Sequence, residues 1–167
     1  MFRLITEVKV LVLTTVATVC HIFDGRNLLL QLKSTGLFGE GKWNGVGGKL
    51  RTREPPVEGA IREVLEETGL VVSNLKSHGI LSFFFGQRID VDWEVHVFST
   101  SDFKGNLNPS NEGSLKWFDI DEIPYDAMWK DDRHWLPLLL KGKVFQGVFY
   151  FNKDGNKLLD FHLQSSS

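Results

Sequence analysis

The stretch whose reading decides the fold is GKLRTREPPVEGAIREVLEETGL, Gly48 to Leu70. It sets Arg62 among Glu54, Glu63, Glu66 and Glu67 on one loop-helix-loop. Pro55 and Pro56 suit a first helical turn, and Gly69 suits the residue just past a helix end, so a helix of about three turns lies between them. At ~100° per residue, Val57, Ala60, Ile61, Val64, Leu65 and Thr68 share one face, while Glu63, Glu66 and Glu67 gather on the other. The spacing therefore predicts one packing face and one charged face.

No lysine lies between Val57 and Leu70 to pair with these glutamates. Like charges so placed repel, by a few tenths of a kcal/mol per exposed pair. A solvated acidic helix face is one account of the cluster. The other is a hard divalent cation: Mg²⁺ favours a few carboxylate oxygens together with waters and the phosphates of a substrate.

The surrounding residues separate the two. Gly48, Glu54, Arg62, Glu63, Val64, Glu66, Glu67, Gly69 and Leu70 meet every specified position of GX5EX7REUXEEXGU, where U is aliphatic, and in this the chain resembles the Nudix hydrolases. The resemblance implies an α+β fold, an α/β/α sandwich with a mixed, curved sheet. It also implies Mg²⁺-dependent cleavage of a nucleoside diphosphate linked to another group, with Mn²⁺ as a substitute metal. By the same resemblance Glu63, Glu66 and Glu67 bind metal and activate water, Glu63 being the first choice of base. The carbonyl of Gly47 is a further ligand, and Glu112 reaches the metal from outside the motif. Gly48, Glu54, Arg62 and Gly69 are structural, with Glu54 and Arg62 an ion pair pinning the loop to the helix.

Beyond the motif, Trp43-Asn44-Gly45, Val95-His96-Val97-Phe98, Trp117-Phe118, Met128-Trp129, Asp131-Asp132, Trp135 and Leu159-Asp160 occur in the order found in one animal-type branch of that family. That branch hydrolyses oxidised purine nucleoside triphosphates, of the 8-oxo-dGTP and 2-hydroxy-dATP type, to the monophosphate and pyrophosphate, sanitising the nucleotide pool. The resemblance implies that Asn44, Trp129, Asp131 and Asp132 recognise the base, with Lys33, Phe38, Phe83 and Phe85 as further pocket positions. The residue types suit those roles. Trp129 offers a flat face to a purine, and Asn44 offers both a donor and an acceptor. Two adjacent aspartates in a partly dry pocket repel until one holds its proton, which gives one acceptor and one donor. Capping of a following helix is the alternative use of either aspartate. Phe38 reads equally as a plug under its glycine-rich loop or as a stacking ring. Two departures bear on the pocket: Trp93 stands where that branch carries a slimmer residue, and the loop through Leu37-Phe38 is longer. Competing functions are hydrolysis of another small nucleotide and a non-catalytic nucleotide sensor. The complete glutamate set argues against the sensor, and the lack of Tyr or Pro from Val71 to Gln87 argues against several other branches.

With 167 residues the chain reads as one domain, residues 1–167, with 1–7 as an extension and 164–167 as a frayed tail. A net charge of −2 and a pI near 6.2 give no pull toward a nucleic-acid polymer, so the expected partner is a small-molecule nucleotide. The apolar run from Val8 to Val19 is too short to span a membrane and reads as strand. The lone Cys20 fits a reducing, cytoplasmic setting and packs without chemistry. A monomer is expected. The patterning predicts a first strand from Val8 that hairpins through Asp24-Gly25 into Leu28–Lys33, then strands near Leu75–Phe85, Asp92–Ser99 and Leu115–Ile120. A polar loop spans Ser101 to Ser114. A second helix covers about Asp131 to Lys141, kinked or shifted by Pro137, and a closing hairpin pairs Val144–Phe151 with Leu158–Leu163.

Overall fold

The computed structural model describes residues 13–166. Its elements run β1 (Thr15–Asp24), β2 (Asn27–Lys33), β3 (Trp43–Asn44), β4 (Val46–Lys49), α1 (Pro56–Thr68), β5 (Val71–Ser73), β6 (Lys76–Phe85), β7 (Trp93–Thr100), β8 (Asp102–Lys104), β9 (Gly113–Asp119), a short 3₁₀ turn (Tyr125–Ala127), α2 (Asp132–Leu140), β10 (Val144–Phe151) and β11 (Leu158–Ser166). The strand expected from Val8 begins at Thr15; residues 8–12 lie outside the described part, as does the expected extension, and Leu13 and Thr14 precede the strand.

Nine strands form one mixed sheet in the order β11-β10-β6-β7-β1-β2-β3, with β4 added to β1 and β9 to β2. The predicted hairpin survives only at its tip, where Phe23 pairs with Leu28 and Asp24 with Asn27. The body of β1 instead runs parallel to β7 and antiparallel to β4, while β2 pairs along its length with β9. This parting of β1 from β2 curves the sheet and opens a cleft between its two halves. Within the expected polar loop, β8 pairs with β5, a short two-stranded ribbon that the sequence pattern does not announce. The tail expected to fray is strand instead: Gln164, Ser165 and Ser166 pair with Gln146, Phe145 and Val144, satisfying backbone groups that β10 would otherwise expose.

Period-two alternation feeds both faces. In β2, Leu28 and Leu30 join the core under α2 with Leu81, Trp135, Leu136 and Phe149. Leu29 between them joins the core under α1 with Cys20, Ile22, Ala60, Val64 and Phe98. Helices thus cover both sides of the sheet, as the sandwich requires. Each fully buried leucine contributes about 1.5–3 kcal/mol.

Helix α1 starts with Pro56 in its first turn and stops at Gly69, whose φ of 77° is left-handed and whose N–H donates to the Leu65 carbonyl. Its buried stripe differs from the predicted one. Ala60, Val64, Glu67 and Thr68 are buried, whereas Val57 and Leu65 are exposed. The stripe is rotated so that Glu67 faces inward instead of joining Glu66 on a solvated face. Pro137 lies inside α2 without ending it, and Asp131 at the N-cap position makes no side-chain capping bond.

Candidate active site

Arg62 organises the motif. Its Nε and Nη2 donate to the two oxygens of Glu54 at 2.6 and 2.8 Å, and Nη2 also donates to the Lys49 carbonyl at 3.2 Å. Nη1 donates to Glu63 at 2.8 Å and to Glu66 at 3.1 Å. The expected ion pair is therefore bidentate and ties α1 to both the preceding loop and β4. Hydrogen bonds from the Arg62 guanidinium and from the Arg51 N–H hold the Glu54 carboxyl down to about 2. Gly48 is needed for close approach, since a Cβ there would lie 2.7 Å from the Glu63 carboxylate.

A cleft of about 570 Å³ opens between the two halves of the sheet. Glu63, Glu67, Glu112, Gly47, Gly48 and Lys33 are among the residues that line it. Glu66 does not line it: half exposed at the rim, it accepts hydrogen bonds from Arg51 and Arg62. Glu67 has a side chain 3 % exposed, and neither of its oxygens has a hydrogen-bond partner. Its nearest cation is the Lys33 ammonium at 3.9 Å, which also lies 3.7 Å from Glu112. Burial first, and Glu112 second, push the Glu67 carboxyl up to about 9 against the pull of Lys33.

Among the described residues no three His, Cys, Asp or Glu side chains converge into a ready metal cage. Glu63 is turned to Arg62, and Glu67 and Glu112 share Lys33. The donor set nonetheless fits a hard divalent cation. A buried, unpartnered carboxylate costs several kcal/mol if left ionised, and Glu67 is one, in a cleft it shares with Glu63, Glu112 and the Gly47 backbone.

Asn44, Phe38, Phe83, Phe85, Trp129, Asp131 and Asp132 line the same cleft. Asn44 is fixed through Nδ2, which donates to the Lys42 carbonyl at 2.9 Å. Asp131 and Asp132 are both buried. Trp135 Nε1 donates to Asp131 Oδ2 at 2.7 Å, while Asp132 Oδ2 has no partner. Burial raises the Asp131 carboxyl to about 6, with the Trp135 bond opposing, and Asp132 is raised well above the ordinary carboxylate value by burial and by its neighbour's charge. The two carboxyls thus lie adjacent in sequence and both buried, Asp131 already accepting from Trp135 and Asp132 with an oxygen left unpartnered. Phe38 is not a core plug. It is 60 % exposed yet packed among Trp93, Trp129 and Phe85 at the mouth.

Several lining residues escaped the sequence reading. Thr18, a buried hydroxyl without a partner, and His21, a fully buried imidazole whose value burial lowers to about 3, sit in the middle of β1. Their signal was a polar side chain within an apolar strand. Cys20 between them is buried and its thiol is pushed up to about 12, in keeping with a packing role.

A family profile described as the NUDIX domain matches residues 13–139, and the chain belongs to that family. It is 46 % identical over 135 residues to an oxidized purine nucleoside triphosphate hydrolase of Danio rerio, covering 80 % of this chain and 85 % of that one. To the protein of the same description from Mus musculus it is 40 % identical over 147 residues, covering 88 % and 92 %. Among solved structures, a MutT protein from Bacillus halodurans superposes with a TM-score of 0.80 at 28 % identity, over 89 % of this chain and 97 % of that one. Among the described residues no helix is long and apolar enough to cross a membrane.

Proposed function

We propose that this chain hydrolyses oxidised purine nucleoside triphosphates to the monophosphate and pyrophosphate, with a divalent cation as cofactor. One observation carries the reading: a single cleft is lined both by Asn44, Trp129, Asp131 and Asp132, groups suited to a purine and its edge, and by Glu63, Glu112 and the buried Glu67. The printed activity of the Danio and Mus relatives supports the same substrate class. Glu63, Glu66, Glu67, Glu112 and the Gly47 carbonyl would hold Mg²⁺, or Mn²⁺ in its place. The ion supplies charge neutralisation of the phosphates and a water that loses its proton near neutral pH.

The remaining work falls to this chain's own groups. Trp129, Phe83 and Phe85 hold the base, while Asp131 accepts from it and Asp132 donates to it. Oxidation of a purine changes the donors and acceptors on its edges, which is what such a pair can sense. Lys33 and Lys49, cations lining the cleft, offset phosphate charge. A water attacks phosphorus in line, its proton passes to a carboxylate oxygen of Glu63, and the bond between α- and β-phosphates breaks with pyrophosphate leaving. Arg62, which donates to one oxygen of Glu63, holds that side chain at the cleft wall. The protein acts as a monomer in the cytoplasm on this reading.

A panel of 8-oxo-dGTP, 2-hydroxy-dATP, dGTP, ADP-ribose and a dinucleoside polyphosphate, assayed with Mg²⁺ or with chelator, tests it. The expected result is chelator-sensitive pyrophosphate release that favours the oxidised purines. Preference for ADP-ribose or the dinucleoside polyphosphate, or no hydrolysis of any member, overturns it.

A further inference from the structure

The Phe38 ring packs against two indoles, Trp93 and Trp129. Its ring lies parallel to Trp93, 5.2 Å between centroids and 5° between planes, and 5.1 Å from Trp129 at 32°. Phe85 meets it edge-on at 6.1 Å. The loop carrying Phe38 turns on Gly36, Gly39 and Gly41, all with positive φ, and a Cβ at Gly39 would lie 3.3 Å from Trp129 Nε1. An exposed side chain on such a loop gains little from burial, so the flanking rings are what hold it. Flat rings at such separations are what stacking favours, whichever ring fills the space.

We propose that Trp93 is a specificity-determining, substrate-contacting residue: Trp93 and Trp129 are the two walls of the base slot, and the Phe38 ring stands where a purine ring goes. This rests on the nucleotide reading above and names how its base is gripped. Trp93 begins β7, pairs with Phe83 of β6, and lines the cleft beside Val95. The Lys49 ammonium lies 5.5 Å from the Trp93 ring, so this wall adjoins a cation suited to the phosphates. Two indole walls reward a bicyclic base on both faces and a pyrimidine less, because the smaller ring covers less of each. The loop swings Phe38 aside as the base enters.

The test is calorimetric binding of metal-free protein to 8-oxo-deoxyguanosine, a nucleoside with no phosphate, alongside steady-state kinetics on its triphosphate. Replacing Trp93→Leu is expected to weaken nucleoside binding and raise KM roughly 5- to 150-fold, the factor one stacked face carries, with kcat changed little. Trp93→Phe, which keeps a flat face and guards against misfolding of the leucine variant, should recover most of the loss. The preference for the purine over a pyrimidine nucleoside should shrink in Trp93→Leu. Nucleoside binding within about twofold of the unsubstituted protein in both variants, or no measurable binding by the unsubstituted protein, overturns the slot. Trp93-dependent nucleoside binding without any triphosphate hydrolysis would sink the proposed activity and leave the slot standing.

Discussion

Replacing Asp132→Asn removes one of two adjacent carboxyls that share a dry corner of the cleft, and its effect on stability should depend on pH. Both groups are buried, and burial raises both above their ordinary value of 3.8, Asp131 to about 6 and Asp132 well above that ordinary value, the charge of Asp131 adding to the effect. The folded protein therefore keeps protons that the unfolded chain has already released, so stability is greatest below the unfolded value and is lost as pH rises through the folded one. Each retained proton costs about 1.4 kcal/mol per pH unit over that window. The substituted amide has the same shape as the carboxyl, still offers an N–H to the base, and has no proton to retain. As pH rises above the ordinary carboxylate range the variant should accordingly gain stability over the parent, by up to about 1.4 kcal/mol for each pH unit across which Asp132 keeps its proton. Denaturant unfolding of the two metal-free proteins at several pH values measures the difference, and titrations common to both, such as that of Glu67, cancel. Stability curves that stay parallel as pH rises would refute the shared-proton account of the pair.

Changing Glu67→Gln or Glu66→Gln should lower turnover by roughly 10²- to 10⁴-fold while far-UV circular dichroism stays unchanged; full activity in both would defeat the carboxylate assignment. Because the Glu67 carboxyl is raised by burial and by Glu112, a cation must displace its proton. Apparent Mg²⁺ affinity, read by titration calorimetry, should therefore climb by up to about tenfold per pH unit below the Glu67 value, and a flat profile would contradict this. Adding a methyl at Gly48→Ala drives against the Glu63 carboxylate at 2.7 Å, so kcat should fall more than thermal stability does.

Helix α1 was legible because its signals are local: Pro56 opens it, Gly69 closes it in a left-handed turn, and Arg62 finds Glu54 only eight residues away. The inward turn of Glu67 was not. A helical wheel sorts residues by polarity, and polarity places Glu67 with Glu66 and Leu65 with Val64. The packed helix does the reverse, because Ala60 and Val64 fix which face meets the sheet and Glu67 follows them at helical spacing. Likewise the β1–β2 turn was readable, but the pairing of β1 with β7 and β4 depends on contacts far apart in sequence. Asp131 illustrates the same limit at the site. From sequence it could cap α2 or read a base, and only the Trp135 indole, one turn on, reveals that its side chain is already engaged inside the cleft.

Diffraction from crystals grown with Mn²⁺ and the monophosphate product, using the manganese anomalous signal, tests the central claim most directly. The account predicts an anomalous peak within coordination distance of Glu67 and at least one of Glu63, Glu66 and Glu112, with the base edge on Asp131 and Asp132. A peak remote from Glu67, or a base lodged away from that aspartate pair, would contradict it.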